Sequence, residues 1–221
     1  MSLWIKICGN TSLDDALIAA QAGADAVGFV FAASPRHVTK EQAVSIVSKL
    51  PPAIEKIGVF VDSPFEEVEE YVRDCNLTGV QLHFDASAHL PIKLRERFGP
   101  SLRILRVVHS VSAVAEMTAL VNQSTIDAIL VDSRTTTAVG GTGIPFDWSA
   151  AASQLRNEGV HARLVVAGGL SPQNVSEAIR TLHPWGVDVV SGVEAAPRRK
   201  DPDKVRSFIA RARAAEGSGD A

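Results

Sequence analysis

The sequence predicts an α/β protein folded as a single (β/α)8 barrel, a TIM barrel, and three observations carry that reading. Short apolar runs rich in β-branched residues recur eight times, amphipathic stretches separate them, and no dinucleotide-type glycine turn follows the first run. Near-continuous apolar strands belong to parallel sheets covered on both faces, and eight strand–helix units are the number that closes a barrel. An open doubly wound sheet would need a glycine-rich turn after strand one, where this chain has Lys6-Ile7-Cys8-Gly9-Asn10.

The eight strands are LWIKI from Leu3, AVGFVF from Ala26, KIGVFV from Lys56, GVQL from Gly79, RILRVV from Arg103, DAILV from Asp127, RLVVA from Arg163 and VDVVS from Val187. Between them, apolar residues fall at i, i+3, i+4, i+7: Val68, Tyr71, Val72 and Cys75, or Trp148, Ala151, Ala152 and Leu155. Val175, Ala178, Ile179 and Leu182 repeat the pattern, as do Val205, Phe208, Ile209 and Ala212. Each set makes one stripe that a helix turns toward a sheet. Thr39 with Gln42 fits a capping box, and Ser63-Pro64, Ser171-Pro172 and Asp201-Pro202 place a capping side chain before an N1 proline. The stretches around Leu90–Phe98 and Val111–Val121 carry the weakest helical pattern. The boundaries expected are one barrel domain over 1–215 and a disordered tail over 216–221, EGSGDA.

Composition narrows the function classes. The 221 residues are 46% hydrophobic and 21% charged, with a formal net charge of −3. So near-neutral a balance predicts no nucleic-acid partner and no affinity for an anionic membrane. Two cysteines, Cys8 and Cys75, cannot build a disulfide framework, and no CxxC pair suggests zinc. No run approaches a membrane span, and the N-terminus reads as no signal peptide, so a cytoplasmic location is expected. Oligomeric state is open between monomer and homodimer.

In a barrel the active site forms where the strands end. Those ends offer Cys8 after strand one, Ser34-Pro35-Arg36 after strand two, and Gln81 and His83 on strand four. Strand five offers Arg106 and His109, strand six Asp132 with Ser133 and Arg134, strand seven Gly168-Gly169, and strand eight Ser191-Gly192. Glycines here either make tight turns or hold a phosphate on backbone N–H groups. Their pairing after strands seven and eight favours the phosphate. Gly140-Gly141-Thr142-Gly143 lies in a stretch of about 14 residues between Asp132 and the next helix near Asp147. That is long for a βα loop, and the loop is either a lid over the mouth or ordinary flexible chain.

Cys8 is either a small buried apolar residue or, as a thiolate, a base or nucleophile. Lys6 lies two residues before it, on the same strand face. Asp132 either caps a turn or pairs with Arg134. Held in an apolar mouth, a carboxyl can instead keep its proton and act as a general acid. Arg36 is a solvated loop residue or a fork for a carboxylate. An acid and a base above a phosphate anchor make the constellation of a sugar-phosphate isomerase.

In sequence these segments resemble the phosphoribosylanthranilate isomerase family, a barrel of the ribulose-phosphate-binding type. The resemblance rests on Lys6-Ile7-Cys8-Gly9, Gly28-Phe29-Val30-Phe31 with Ser34-Pro35-Arg36, and Gly79-Val80-Gln81-Leu82-His83. It continues through Val131-Asp132-Ser133, Gly140-Gly141-Thr142-Gly143 with Phe146-Asp147-Trp148, and Ala167-Gly168-Gly169-Leu170. Val187-Asp188-Val189 with Ser191-Gly192-Val193-Glu194 completes it, so the matches run from residue 4 to about 205.

The resemblance implies an aldose–ketose isomerase of tryptophan biosynthesis. Its substrate would be N-(5′-phosphoribosyl)anthranilate, a small phosphosugar, rearranged to 1-(2-carboxyphenylamino)-1-deoxyribulose 5-phosphate. It implies Asp132 as general acid, Cys8 as the base at C2′, and Arg36 on the anthranilate carboxylate. Gly168, Gly169, Ser191 and Gly192 would hold the phosphate, with no metal or organic cofactor. Three positions depart from the family pattern: Phe84-Asp85-Ala86 replaces Gly-Asp/Glu-Glu, Arg198 replaces a glycine, and Asp62 replaces an asparagine. A related aminoaldose isomerase would carry aspartate in place of Cys8, and indole-glycerol-phosphate synthase a lysine-centred site with an N-terminal extension. A silent phosphate-binding barrel would need no acid–base pair.

Overall fold

A computed structural model describes residues 2–83, 89–108, 125–132 and 163–216. Eight parallel strands close into a barrel in chain order: β1 Trp4–Ile7, β2 Ala26–Val30, β3 Glu55–Val61, β4 Gly79–His83, β5 Arg103–Val108, β6 Ala128–Asp132, β7 Leu164–Ala167 and β8 Gly186–Val189. The described helices are α1 Leu13–Gln21, α2 Lys40–Val47, α3 Phe65–Asp74, α4 Leu90–Phe98, α5 Val175–Leu182 and α6 Pro202–Glu216. After β8 the chain makes a 3-10 turn, Ser191–Val193, and a small antiparallel hairpin of β9 Glu194–Ala196 and β10 Arg199–Lys200. The expected helix around Val111–Val121, the Trp148 stripe, Phe84 and the Gly140-Gly141-Thr142-Gly143 loop lie outside the described residues.

Two apolar clusters divide the work of stability. Trp4, Ala26, Ile57, Leu105, Val107, Ala128, Leu130, Val165 and Ala167 fill the barrel interior. The second and larger cluster packs the outer strand faces on the helices, and the Val68, Val175 and Val205 stripes all contribute to it. Strand register fixes which residues share a face: Lys6 pairs with Asp188 and Ala26, Val59 with Gln81, and Asp132 with Ala167. That parity sends Lys6, Gln81, Asp132 and Asp188 inward and Arg106 outward. Arg106 is buried beside Leu82, its strand partner, and does not reach the mouth where the sequence suggested it.

Helix starts follow local chemistry. Thr39 and Gln42 complete the expected capping box, and Asp201 Oδ1 accepts from the backbone of Asp203 and Lys204 at 2.9 and 3.1 Å. Two caps differ from expectation. Pro64 itself occupies the N-cap of α3, and Ser63 supplies no capping bond because the chain stays extended one residue longer. Ser171-Pro172 begins a turn instead, with Asn174 as the N-cap of α5. The helix α6 runs through Glu216, whose carboxylate accepts from the Leu3 N–H at 2.6 Å, so Glu216 itself is helical, and residues 217–221 lie outside the described residues.

Candidate active site

At the C-terminal end of the barrel, the described residues enclose a cavity of about 200 Å³. Cys8, Arg36, Asp132, Gly168, Gly169 and Ser191 all border it, together with Gln81, His83 and Asp188. Six of the seven site candidates that the sequence offers outside the lid therefore border one cavity. Gly192 is not among the residues that border it, and Gly140, Gly141, Thr142 and Gly143 lie outside the described residues.

Cys8 follows β1, tied to β8 by its N–H to the Val189 carbonyl at 2.9 Å. Its side chain occupies room left by a glycine on the neighbouring strand: a Cβ on Gly28 would fall 2.5 Å from Cys8 Sγ and 3.1 Å from Lys6 Cε. Beneath it Lys6 is fully buried, donating to Gln81 Oε1 at 2.8 Å and Asp188 Oδ1 at 2.9 Å. Burial pushes the Cys8 thiol up, the neighbouring Lys6 ammonium opposing it. Burial pulls Lys6 down, but Asp188 and Cys8 together outweigh it and hold the ammonium charged.

Arg36 reaches the mouth from the loop after β2, across a backbone bared by Gly9, where a Cβ would meet Arg36 Cδ at 2.8 Å. Its Nε donates to Glu194 Oε1 and its Nη2 to Glu194 Oε2, at 2.7 and 2.6 Å. That pairing raises Arg36 further above its ordinary value. Burial works against the charge on Glu194, but Arg36 and Lys200 prevail and hold its carboxyl below the usual range. Lys200, itself buried and pushed down by that burial, donates to the carbonyls of Cys8 at 2.7 Å and Val190 at 3.1 Å. One ammonium therefore ties together the ends of β1 and β8.

Asp132 closes β6 as a buried residue and faces the cavity with Leu130 and Ala167. After β7, Gly168 and Gly169 border the cavity and both take left-handed conformations, φ +81° and +66°, that glycine adopts freely. Gly192 has a different task. A Cβ there would lie 1.9 Å from the Leu170 carbonyl oxygen, so only glycine lets the loops after β7 and β8 touch. Sequence reasoning gave Glu194 no role beyond its place in the quoted motif and missed Lys200 as a site residue, because the partners of both lie far away in the chain. It also passed over Gly28, although a glycine inside an apolar strand is a signal of close approach.

Known proteins resemble this chain over nearly its whole length. The family model described as N-(5′-phosphoribosyl)anthranilate (PRA) isomerase matches residues 5–211. The N-(5′-phosphoribosyl)anthranilate isomerase of Pelobacter propionicus is 45% identical over 206 residues, 93% of each chain. That of Geobacter sulfurreducens is 43% identical over 210 residues, 95% of this chain and 98% of its own. Among solved structures, phosphoribosyl anthranilate isomerase from Thermotoga maritima superposes with a TM-score of 0.83 at 38% identity, covering 96% of this chain and 99% of that one. A phosphoribosyl anthranilate isomerase in complex with reduced 1-(o-carboxyphenylamino)-1-deoxyribulose 5-phosphate gives 0.80 at 37%, with the same coverage. A closed eight-stranded barrel with these strand-end residues, matched over nearly its whole length, belongs to the N-(5′-phosphoribosyl)anthranilate isomerase family.

Proposed function

We propose that the protein is an N-(5′-phosphoribosyl)anthranilate isomerase of tryptophan biosynthesis, acting on this phosphosugar in the cytoplasm by general acid–base catalysis. The observation that carries the reading is the convergence of Cys8, Asp132 and Arg36 on one cavity edged by Gly168, Gly169 and Ser191. Asp132 gives its proton to the furanose ring oxygen as the C1′–O bond breaks, and the nitrogen lone pair forms the C1′=N bond of a protonated Schiff base. Cys8 then takes the C2′ proton, and the electron pair of that C–H bond moves toward nitrogen to give an enolamine. Tautomerisation yields the ketone. The substrate's own amine is the electron sink, so the rearrangement calls on no metal or organic cofactor.

Arg36 has its Nε–Nη2 edge engaged by Glu194, and among the described residues nothing accepts from Nη1. That end receives the anthranilate carboxylate in this reading. The phosphate lies on backbone N–H groups at Gly168-Gly169 and Ser191-Gly192, with Gly192 allowing the two loops to close on each other. No described helix is long and apolar enough to cross a membrane.

The test is to generate phosphoribosylanthranilate in situ and follow loss of its anthranilate-type fluorescence. Turnover by the wild type is expected, with rates lowered on the order of 10²–10⁴-fold in Cys8→Ser and in Asp132→Asn. A folded wild type without turnover would sink the reading in favour of a silent phosphate-binding barrel.

A further inference from the structure

The mechanism above uses Cys8 and leaves unexplained the most deeply buried cation among the described residues. Lys6 has none of its surface exposed, yet it sits in the barrel interior, where aliphatic side chains would fill the space at no cost in desolvation. Its three N–H donors can be accounted for one by one. One goes to Asp188 Oδ1 and one to Gln81 Oε1. The third is left for the Cys8 sulfur, since Cys8 Sγ and Lys6 Cε border the same point beside Gly28, at 2.5 and 3.1 Å. Gly28 makes this meeting possible, since a Cβ on that strand would press on Cys8 Sγ and Lys6 Cε together.

The ammonium form, which Asp188 favours, sets the sense of the surrounding hydrogen bonds. Lysine has no acceptor in that form, so Gln81 must present its oxygen to Lys6 and its Nε2 to His83, whose Nε2 lies 2.9 Å away. His83 therefore holds its ring proton on Nδ1. The polar chain Asp188–Lys6–Gln81–His83 has a single consistent sense of donation, starting from a charged lysine.

We propose that Lys6 is a positioning residue for Cys8, its ammonium held by Asp188 and Gln81 so that it stabilises the thiolate that removes the C2′ proton. This rests on the reading of Cys8 as the base. Asp188 then has a second effect, because it competes with the thiolate for the same ammonium. Removing Asp188 strengthens the Lys6–Cys8 interaction, and removing both charges abolishes it. The remaining charged or titratable groups near Cys8 are Lys200 and Glu194 from the hairpin, Arg36 from the loop after β2, and Asp132 and His83 on the cavity wall. All of them stay in place in the variants below.

The experiment is the pH dependence of Cys8 alkylation by iodoacetamide, followed by mass spectrometry in the full chain on a Cys75→Ala background. Asp188→Asn and the double variant Lys6→Met/Asp188→Asn are compared with that parent. The double variant leaves no uncompensated buried charge, which protects folding, and a shift in midpoint is separable from a change in access, which alters only the plateau rate. The midpoint is expected to fall in Asp188→Asn and to rise above the parent in the double variant, by about one pH unit or more in each direction. A merely structural role would not move the two in opposite senses. Coinciding midpoints in the two variants would overturn the proposal. Full turnover by Cys8→Ser would instead remove the base reading and leave the alkylation order standing, so the two failures are distinguishable.

Discussion

Glu194 grips Arg36 along one edge of its guanidinium, with Nε–Oε1 and Nη2–Oε2 distances of 2.7 and 2.6 Å. The two residues are 158 positions apart in the chain, and their pairing decides which way Arg36, the one arginine on the cavity wall among the described residues, points. Bidentate charge-assisted bonds are worth about 1.5–3 kcal/mol each way. Glu194→Gln keeps one acceptor and loses the charge, so KM for phosphoribosylanthranilate should rise about tenfold with kcat changed only a few-fold. Steady-state kinetics separates the two. An unchanged KM would mean that Arg36 holds its orientation unaided.

The contact between the loops after β7 and β8 predicts a different defect. In Gly192→Ala the new methyl carbon meets the Leu170 carbonyl oxygen at 1.9 Å and its carbon at 2.9 Å. Both are backbone atoms, so neither can rotate away, and the loops must part at a cost of about 1–3 kcal/mol. Inorganic phosphate should compete with substrate in the wild type, and its inhibition constant should rise at least tenfold in Gly192→Ala. Competition of equal strength in both proteins would place the phosphate elsewhere.

How much of this was legible in the sequence depends on distance along the chain. The eight strands announce themselves by local texture, and Cys8 and Asp132 by standing where a strand stops. Thr39 and Gln42 are three residues apart, and their capping box is as local as a motif can be. Arg36–Glu194, Lys6–Gln81 and Lys200 on the Cys8 carbonyl join residues 158, 75 and 192 positions apart, and no local pattern encodes such pairs. Arg106 failed for another reason. RILRVV is apolar on both strand faces, because one packs the interior and the other the helices, so alternation could not say which parity faces inward.

Arg198 explains one of the family departures in energetic terms. It is an exposed residue in the turn between β9 and β10, with φ +73°, a conformation glycine adopts freely and side chains resist by about 1–2 kcal/mol. Its carbonyl accepts from Thr11 Oγ1 at 2.9 Å, so the turn is anchored and the strain cannot relax. Arg198→Gly should therefore stabilise the fold by about 0.5–1 kcal/mol after the entropy of glycine in the unfolded chain is counted. For a chain of this size that is roughly 1–4 °C in Tm by thermal melting. Asp62, at φ +52°, obeys the same rule more mildly, since aspartate and asparagine are the side chains best tolerated there.

Cys75 gives a prediction about pH. It closes α3 among the helix-facing apolar residues, with its thiol directed to the Lys40 carbonyl at 3.8 Å. Burial pushes that thiol up to about 11, against roughly 8.5 in an unfolded chain. Above that lower value the unfolded chain has released the proton and the folded one has kept it. Stability from this group is therefore complete below about pH 8.5 and is lost as pH rises toward 11. Urea midpoints measured at pH 8 and at pH 10.5 should fall more steeply in the wild type than in Cys75→Ala, since every other titrating group is common to both. Parallel slopes would show that the thiol titrates alike in the folded and unfolded chains. The same burial predicts that Cys75 resists alkylation in the native protein at pH 8 and becomes reactive once urea unfolds it.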